Sequence, residues 1–220
     1  SKIKLLYNAT DIELFGQSVS NEERRKIREH FHVNEKDVLL IYTGRLCEDK
    51  GVLELLEAFE SVVKKYNNVK LLIVGSVSYG KTTTDEYTKK IADKVKKCAD
   101  KIVLTGFVPY KEIYKYYAIA DIQIIPSMWE EPFGLVAIEG MSQGLAVICS
   151  DSGGLTEVVD ESCAIIVKRE NMVDNLREAM FKLIENQELI IKLGREAKEH
   201  IKNHSEYTYS NYYKKFIELL

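Results

Sequence analysis

The sequence predicts an α/β fold: a doubly wound parallel sheet with helices on both faces. Three observations carry that expectation. Short apolar, β-branched runs recur along the chain, segments with helical spacing separate them, and the unusual Gly, Pro and Ser clusters each follow the carboxyl end of a run. Regular alternation of strand and helix implies a parallel sheet joined by right-handed crossovers.

Taken in order, the strands are expected at Ile3 to Tyr7, Val38 to Thr43, Val69 to Val74, Ile102 to Thr105, Ile122 to Ile125, Ala146 to Cys149 and Ala164 to Val167. Helices are expected at Val52 to Tyr66, Asp85 to Cys98, Lys111 to Ala120, Gly134 to Gln143 and Asn171 to Glu185, then at Leu189 to Asn203 and Tyr207 to Leu220 after the last strand. The basic groups Arg24-Arg25-Lys26 with Arg28, and Lys89-Lys90 with Lys94, Lys96 and Lys97, read as solvated helix faces.

Composition narrows the function classes. At 220 residues, 45% hydrophobic and 30% charged, the chain can bury a substantial core as one domain. A net charge of -3 argues against a dedicated nucleic-acid binder. Cys47, Cys98, Cys149 and Cys163 are widely spaced with no CxxC pair, which fits reduced thiols in a cytoplasm. No apolar run approaches the roughly 18 residues of a membrane span.

In open parallel sheets ligands bind at the carboxyl edge of the strands. Gly44-Arg45, Gly75, Gly106, Pro126 to Gly134 and Ser150 to Gly154 all fall there. The most informative stretch is Glu131-Pro132-Phe133-Gly134-Leu135-Val136-Ala137-Ile138-Glu139. Glu139 is a lone charge on an otherwise apolar helix and needs a partner, either a protein cation or the hydroxyl pair of a bound ribose. The N–H groups of Phe133, Gly134 and Leu135 would face an anion at the helix start. Arg45 and Lys50 flank another helix start, where they either clamp a diphosphate or form surface ion pairs with Glu48 or Asp49.

Two rival signals stand beside this one. Gly75-Ser76-Val77-Ser78-Tyr79-Gly80-Lys81-Thr82 satisfies the P-loop pattern, but Thr84 or Asp85 is the better N-cap, which leaves Lys81 in a loop. Asp151 is the best available metal-binding partner for that reading. His200 and His204 have the spacing of a helical metal pair, yet no acid or Cys is seen in the sequence to complete it, so no metal is expected.

Together these residues resemble the C-terminal half of retaining glycosyltransferases of the GT-B fold, in the family carrying the E-x7-E motif. The likeness runs through Tyr7-Asn8-Ala9-Thr10-Asp11 with Phe15, Gly44-Arg45 with Lys50-Gly51, Gly106-Phe107-Val108-Pro109, Glu131 to Glu139, and Gly153-Gly154-Leu155-Thr156-Glu157. The resemblance implies a Rossmann-like domain over residues 1–204 that binds a nucleotide-sugar donor, expected to be a UDP-sugar. Residues 205–220 would form a helix leaning on an N-terminal domain that holds a glycan or lipid-linked acceptor.

By the same resemblance Arg45 and Lys50 hold the donor diphosphate, Val108 meets the base through its backbone, Glu139 binds the ribose and Glu131 is the catalytic-site residue that positions the transferred sugar. The family implies front-face transfer with retention and no metal cofactor. This chain departs from the pattern at Ala9, where Gly is usual, and in its long polar loop from Ser76 to Thr84. It is expected to be cytoplasmic, with any membrane contact reserved for the full-length protein. A P-loop ATP or GTP binder and a catalytically silent nucleotide-binding module are the alternatives.

Overall fold

The computed structural model describes residues 3–76 and 86–219. Six parallel strands, β1 (Val38–Thr43), β2 (Val69–Val74), β3 (Ile102–Gly106), β4 (Ile122–Ile125), β5 (Ala146–Ser150) and β6 (Ala164–Val167), form one sheet of order β3-β2-β1-β4-β5-β6. Every pairing is parallel, with Leu40 opposite Leu71 on one side and Ile122 on the other.

Strand periodicity explains why these runs are apolar throughout. Leu40 and Tyr42 point into one core layer while their neighbours Leu39 and Ile41 point into the other, so every position on β1 is buried. One layer packs α3 (Val52–Lys65), α4 (Glu86–Lys97) and α8 (Met172–Ile184) on the sheet through Leu55, Phe59, Ile91, Leu176 and Met180. The opposite face carries α1 (Ile12–Phe15), α2 (Asn21–His30), α5 (Ile113–Ile119), α6 (Leu135–Gln143), the one-turn α7 (Leu155–Val158) and α9 (Gln187–Asn203).

The order has a functional consequence. The connection leaving β1 runs to α3 on one face and that leaving β4 runs to α6 on the other. Their divergence opens a crevice at the carboxyl ends of β1 and β4, the switch point of a doubly wound sheet.

Three expectations are corrected. Residues 3–7 form no strand: Ile3 is 87% and Leu5 71% exposed, and the segment finds no sheet edge to pair with. Its only ladder contact lies further on, a parallel bridge from Thr10 to Thr208. Arg28 does not face solvent. It is 5% exposed and donates to the carbonyls of Ile119 (2.7 Å), Asn34 (2.9 Å) and Asp37 (2.6 Å), tying α2 to the loop before β1. The last helix, α10, spans Tyr209–Leu219, because Tyr207 is drawn into the core in the short turn before it.

No residue of α10 is buried, and Tyr209, Tyr213, Phe216, Ile217 and Leu219 are all exposed. No helix among the described residues is long and apolar enough to cross a membrane.

Candidate active site

The crevice holds two adjoining clefts that share Thr43 and Gly44. The first, about 260 Å³, is lined by Lys50, Ser127, Glu131 and residues 132–136, with Asn8 at its edge. The second, about 310 Å³, is lined by Arg45, Gly75, Ser76, Phe107, Val108 and Tyr110. Residues expected to act together are thus divided between two compartments meeting at the end of β1.

Local backbone geometry builds the first cleft. Gly51 has φ +65, and a Cβ there would lie 1.8 Å from the Pro126 carbonyl oxygen, so only glycine lets the start of α3 meet the loop after β4. Met128 N–H donates to the Asp49 carbonyl at 2.8 Å across the same contact. Lys50 is thereby carried over that loop, where its Nζ pairs with Glu131 Oε1 at 2.6 Å and sits 5.3 Å from the centre of the Trp129 ring. The surface ion pair to Glu48 or Asp49 does not form.

Glu131 is fixed on several sides. The Ser127 hydroxyl donates to the same Oε1, the Glu131 N–H donates to Ser152 Oγ at 3.2 Å, and the Gly154 N–H donates to its carbonyl at 2.7 Å. Ser127 and Ser152 carried no signal beyond their place in the loops after β4 and β5. Arg45, by contrast, is exposed and makes no ion pair among the described residues, while its carbonyl accepts from Tyr42 Oη at 2.6 Å.

At the start of α6, Gly134 has φ +116 and no side chain caps the helix. The first intrahelical bond runs from the Ala137 N–H to the Gly134 carbonyl at 2.9 Å, so Leu135 and Val136, which line the first cleft, come before it with N–H groups that have no intrahelical acceptor. Phe133 lines the same cleft and packs its ring on Tyr7 (5.6 Å between centroids) and edge-on against Tyr207.

Glu139 lines neither cleft. It lies one layer below, 8% exposed on α6, and its partner is neither a cation nor a solvent-facing group. The Tyr117 hydroxyl donates to Glu139 Oε2 at 3.0 Å, and Tyr117 Oη lies 2.5 Å from Thr43 Oγ1, which does reach both clefts. Burial pushes the Glu139 carboxyl up to about 7, and the Tyr117 hydrogen bond opposes that rise. Tyr117, wholly buried, is driven well above the usual phenol value by the same desolvation and by the carboxylate beside it.

The rival sites fare differently. Lys81 and Thr82 of the P-loop pattern lie outside the described residues. Asp151 is held by Lys168 Nζ at 3.0 Å and by the Arg169 N–H at 3.0 Å. Folding supplies what the sequence hid at His200, since Asp160 and Cys163 arrive with ligand atoms within 4.8 Å of one another. There the Cys163 thiol donates to the Asp160 carbonyl, and the Asp160 carboxylate accepts the Ser162 N–H at 2.8 Å.

With this geometry established, comparison with known proteins is decisive. The family model described as glycosyl transferases group 1 matches residues 23–200. The chain belongs to this family. Among curated relatives of this glycosyltransferase domain, lipopolysaccharide 1,2-N-acetylglucosaminetransferase of Salmonella typhimurium is 34% identical over 66% of the chain and 38% of the relative. Spore coat protein SA of Bacillus subtilis is 29% identical over 73% of the chain and 43% of its own length. The chain therefore spans roughly half or less of the relatives it matches first.

Solved structures share the fold. HepE of Anabaena in complex with UDP and glucose superposes with a TM-score of 0.83 at 21% identity, covering 98% of this chain and 55% of that one. The C-terminal domain of a glycosyl transferase group 1 family protein, LpcC of Francisella tularensis, gives 0.75 at 24% identity, over 91% of this chain and 100% of that domain. This glycosyltransferase domain is accordingly the Rossmann-like C-terminal half of a GT-B fold.

Proposed function

We propose that the chain is the donor-binding half of a retaining glycosyltransferase that moves a hexosyl unit from a UDP-sugar to a glycan or lipid-linked acceptor. The observation that carries this reading is the convergence, at one switch point, of an exposed Arg45 with no ion pair among the described residues, the Lys50–Glu131 pair and an uncapped helix start at Gly134. A diphosphate joined to a sugar matches that set of groups. The UDP complex of the structurally similar HepE supports the choice of nucleotide.

In this reading the base enters the second cleft against the backbone of Val108, the ribose hydroxyls reach Glu139, and the diphosphate crosses between the clefts at Gly44. Arg45, Lys50 and the N–H groups at the start of α6 (Phe133, Gly134 and Leu135) neutralise charge growing on the departing diphosphate, a task that needs no metal ion. Lys50 already lies against Glu131, so an arriving phosphate becomes its second anion while Glu131 remains positioned for the sugar. The acceptor attacks the face from which the diphosphate leaves and gives its proton to a leaving phosphate oxygen. The acceptor itself belongs to an N-terminal domain, against which α10 leans, and reactive orientation requires both walls of the cleft.

Calorimetric titration with UDP, GDP, ADP and ATP, with and without Mg²⁺, tests the reading. UDP should bind without metal, weaken in Arg45→Ala and Glu139→Ala, and be unaffected in Lys81→Ala. Binding of ATP alone, dependent on Mg²⁺ and Lys81, would replace this reading with the P-loop one. The chain alone should show little transfer to a sugar acceptor, and measurable transfer would refute the two-walled requirement.

A further inference from the structure

The buried chain of hydroxyls beneath the clefts has a direction. The Tyr117 hydroxyl donates its single proton to Glu139 Oε2, so Thr43 must in turn donate to the Tyr117 oxygen. Thr43 sits at the end of β1, in the floor where the two clefts meet, and Tyr117 stands on α5 with its ring wholly buried. The arrangement therefore links the floor of the crevice to one oxygen of the α6 carboxylate through two side chains whose rotamers are set by packing.

The other carboxylate oxygen is left over. Among the described residues the one side-chain hydrogen bond to Glu139 goes to Oε2, and Oε1 is absent from the sealed atoms that lack a partner (Arg28 Nε, Gln123 Oε1 and His200 Nε2), so with no described partner Oε1 keeps a contact with solvent. Holding Oε2 from one side fixes the plane of the carboxylate and presents Oε1 as an open acceptor. A carboxylate this buried, given a single protein hydrogen bond, is under-satisfied until a ligand donates to it.

Resting on the donor-site reading above, we propose that Tyr117 is a positioning residue of the nucleotide site, which with Thr43 orients Glu139 to receive the ribose hydroxyls. Tyr117 touches no ligand in this scheme. Its contribution is to stop the carboxylate from rotating into its own core, and it should be visible only with ligands that carry those hydroxyls.

Calorimetric titration with UDP and with 2′,3′-dideoxy-UDP separates this role from simple packing. Tyr117→Phe keeps the ring and removes the hydroxyl. It should weaken UDP about tenfold, the effect of losing one hydrogen bond to a charged group, and leave the dideoxy compound within about twofold. Thr43→Val, which removes the donor behind Tyr117, should reproduce the pattern more weakly and serves if Tyr117→Phe does not fold. Equal weakening of both compounds by the variants, or no weakening of either, overturns the proposal. Glu139→Gln is the control: the unaltered chain should prefer UDP and this variant should lose that preference. Should the control fail, or the unaltered chain not bind UDP, the donor-site reading falls and this inference with it; if only the Tyr117 and Thr43 variants behave like the unaltered chain, the positioning role alone is wrong.

Discussion

Glu139 shows what a buried carboxylate does to its own protein. Its folded value of about 7 stands above the ordinary 4.5, so folding favours the protonated form. The sign follows directly: the favourable contribution is complete below about pH 4.5 and is lost as pH rises through 7, leaving a penalty of about 3 kcal/mol at pH 8 by the usual 1.36 kcal/mol per unit. Glu139→Gln should therefore resist urea better than the unaltered chain at pH 8, with the difference vanishing near pH 4. An equal response at both values would show that the carboxyl is not strained by burial. Arg45 behaves oppositely, being exposed and without an ion partner among the described residues. Arg45→Ala should leave the melting temperature unchanged while weakening UDP by about tenfold, a loss that shrinks in high salt as screening removes what the guanidinium supplies.

Among the elements, the glycine at the start of α3 matters most. Gly51 admits the Pro126 carbonyl where any Cβ would collide, so Gly51→Ala must push α3 off the loop that carries Glu131. A loss of about 3 kcal/mol in unfolding free energy is expected, together with weaker UDP binding because the Lys50–Glu131 pair would separate. Helix α10 is the contrary case. With none of its residues buried, deletion of 209–220 should change unfolding free energy by no more than about 1 kcal/mol and make the chain less prone to associate, as sedimentation would show. A large destabilisation would mean that its contact with Tyr110 through Tyr209 holds the second cleft together.

At the scale of the whole molecule, the sheet order places the two clefts on the line where connections part to opposite faces. That placement brings residues from five loops to one crevice. The chain spans half or less of the relatives it matches first, and under the proposed reading transfer to a sugar acceptor should appear when the N-terminal half of such a relative is added and not with the chain alone, which a transfer assay with and without that half tests.

The sequence by itself determined the order of the six strands and of the long helices between and after them, because buried parallel strands must be apolar at every position and helices must not be. It also marked Arg45, Lys50, Glu131 and the start of α6, since charges and glycines at strand ends are conspicuous in an apolar background. It misled at Ile3 to Tyr7, where a short apolar run mimics a strand that joins no sheet. Only the tertiary structure decided partners. Lys50 meets Glu131 across 81 positions and Tyr117 meets Glu139 across 22, and nothing local distinguishes Tyr117 from any other helical aromatic. Residue identity records which groups are costly to bury, while the crossovers of the sheet decide which of them are buried together.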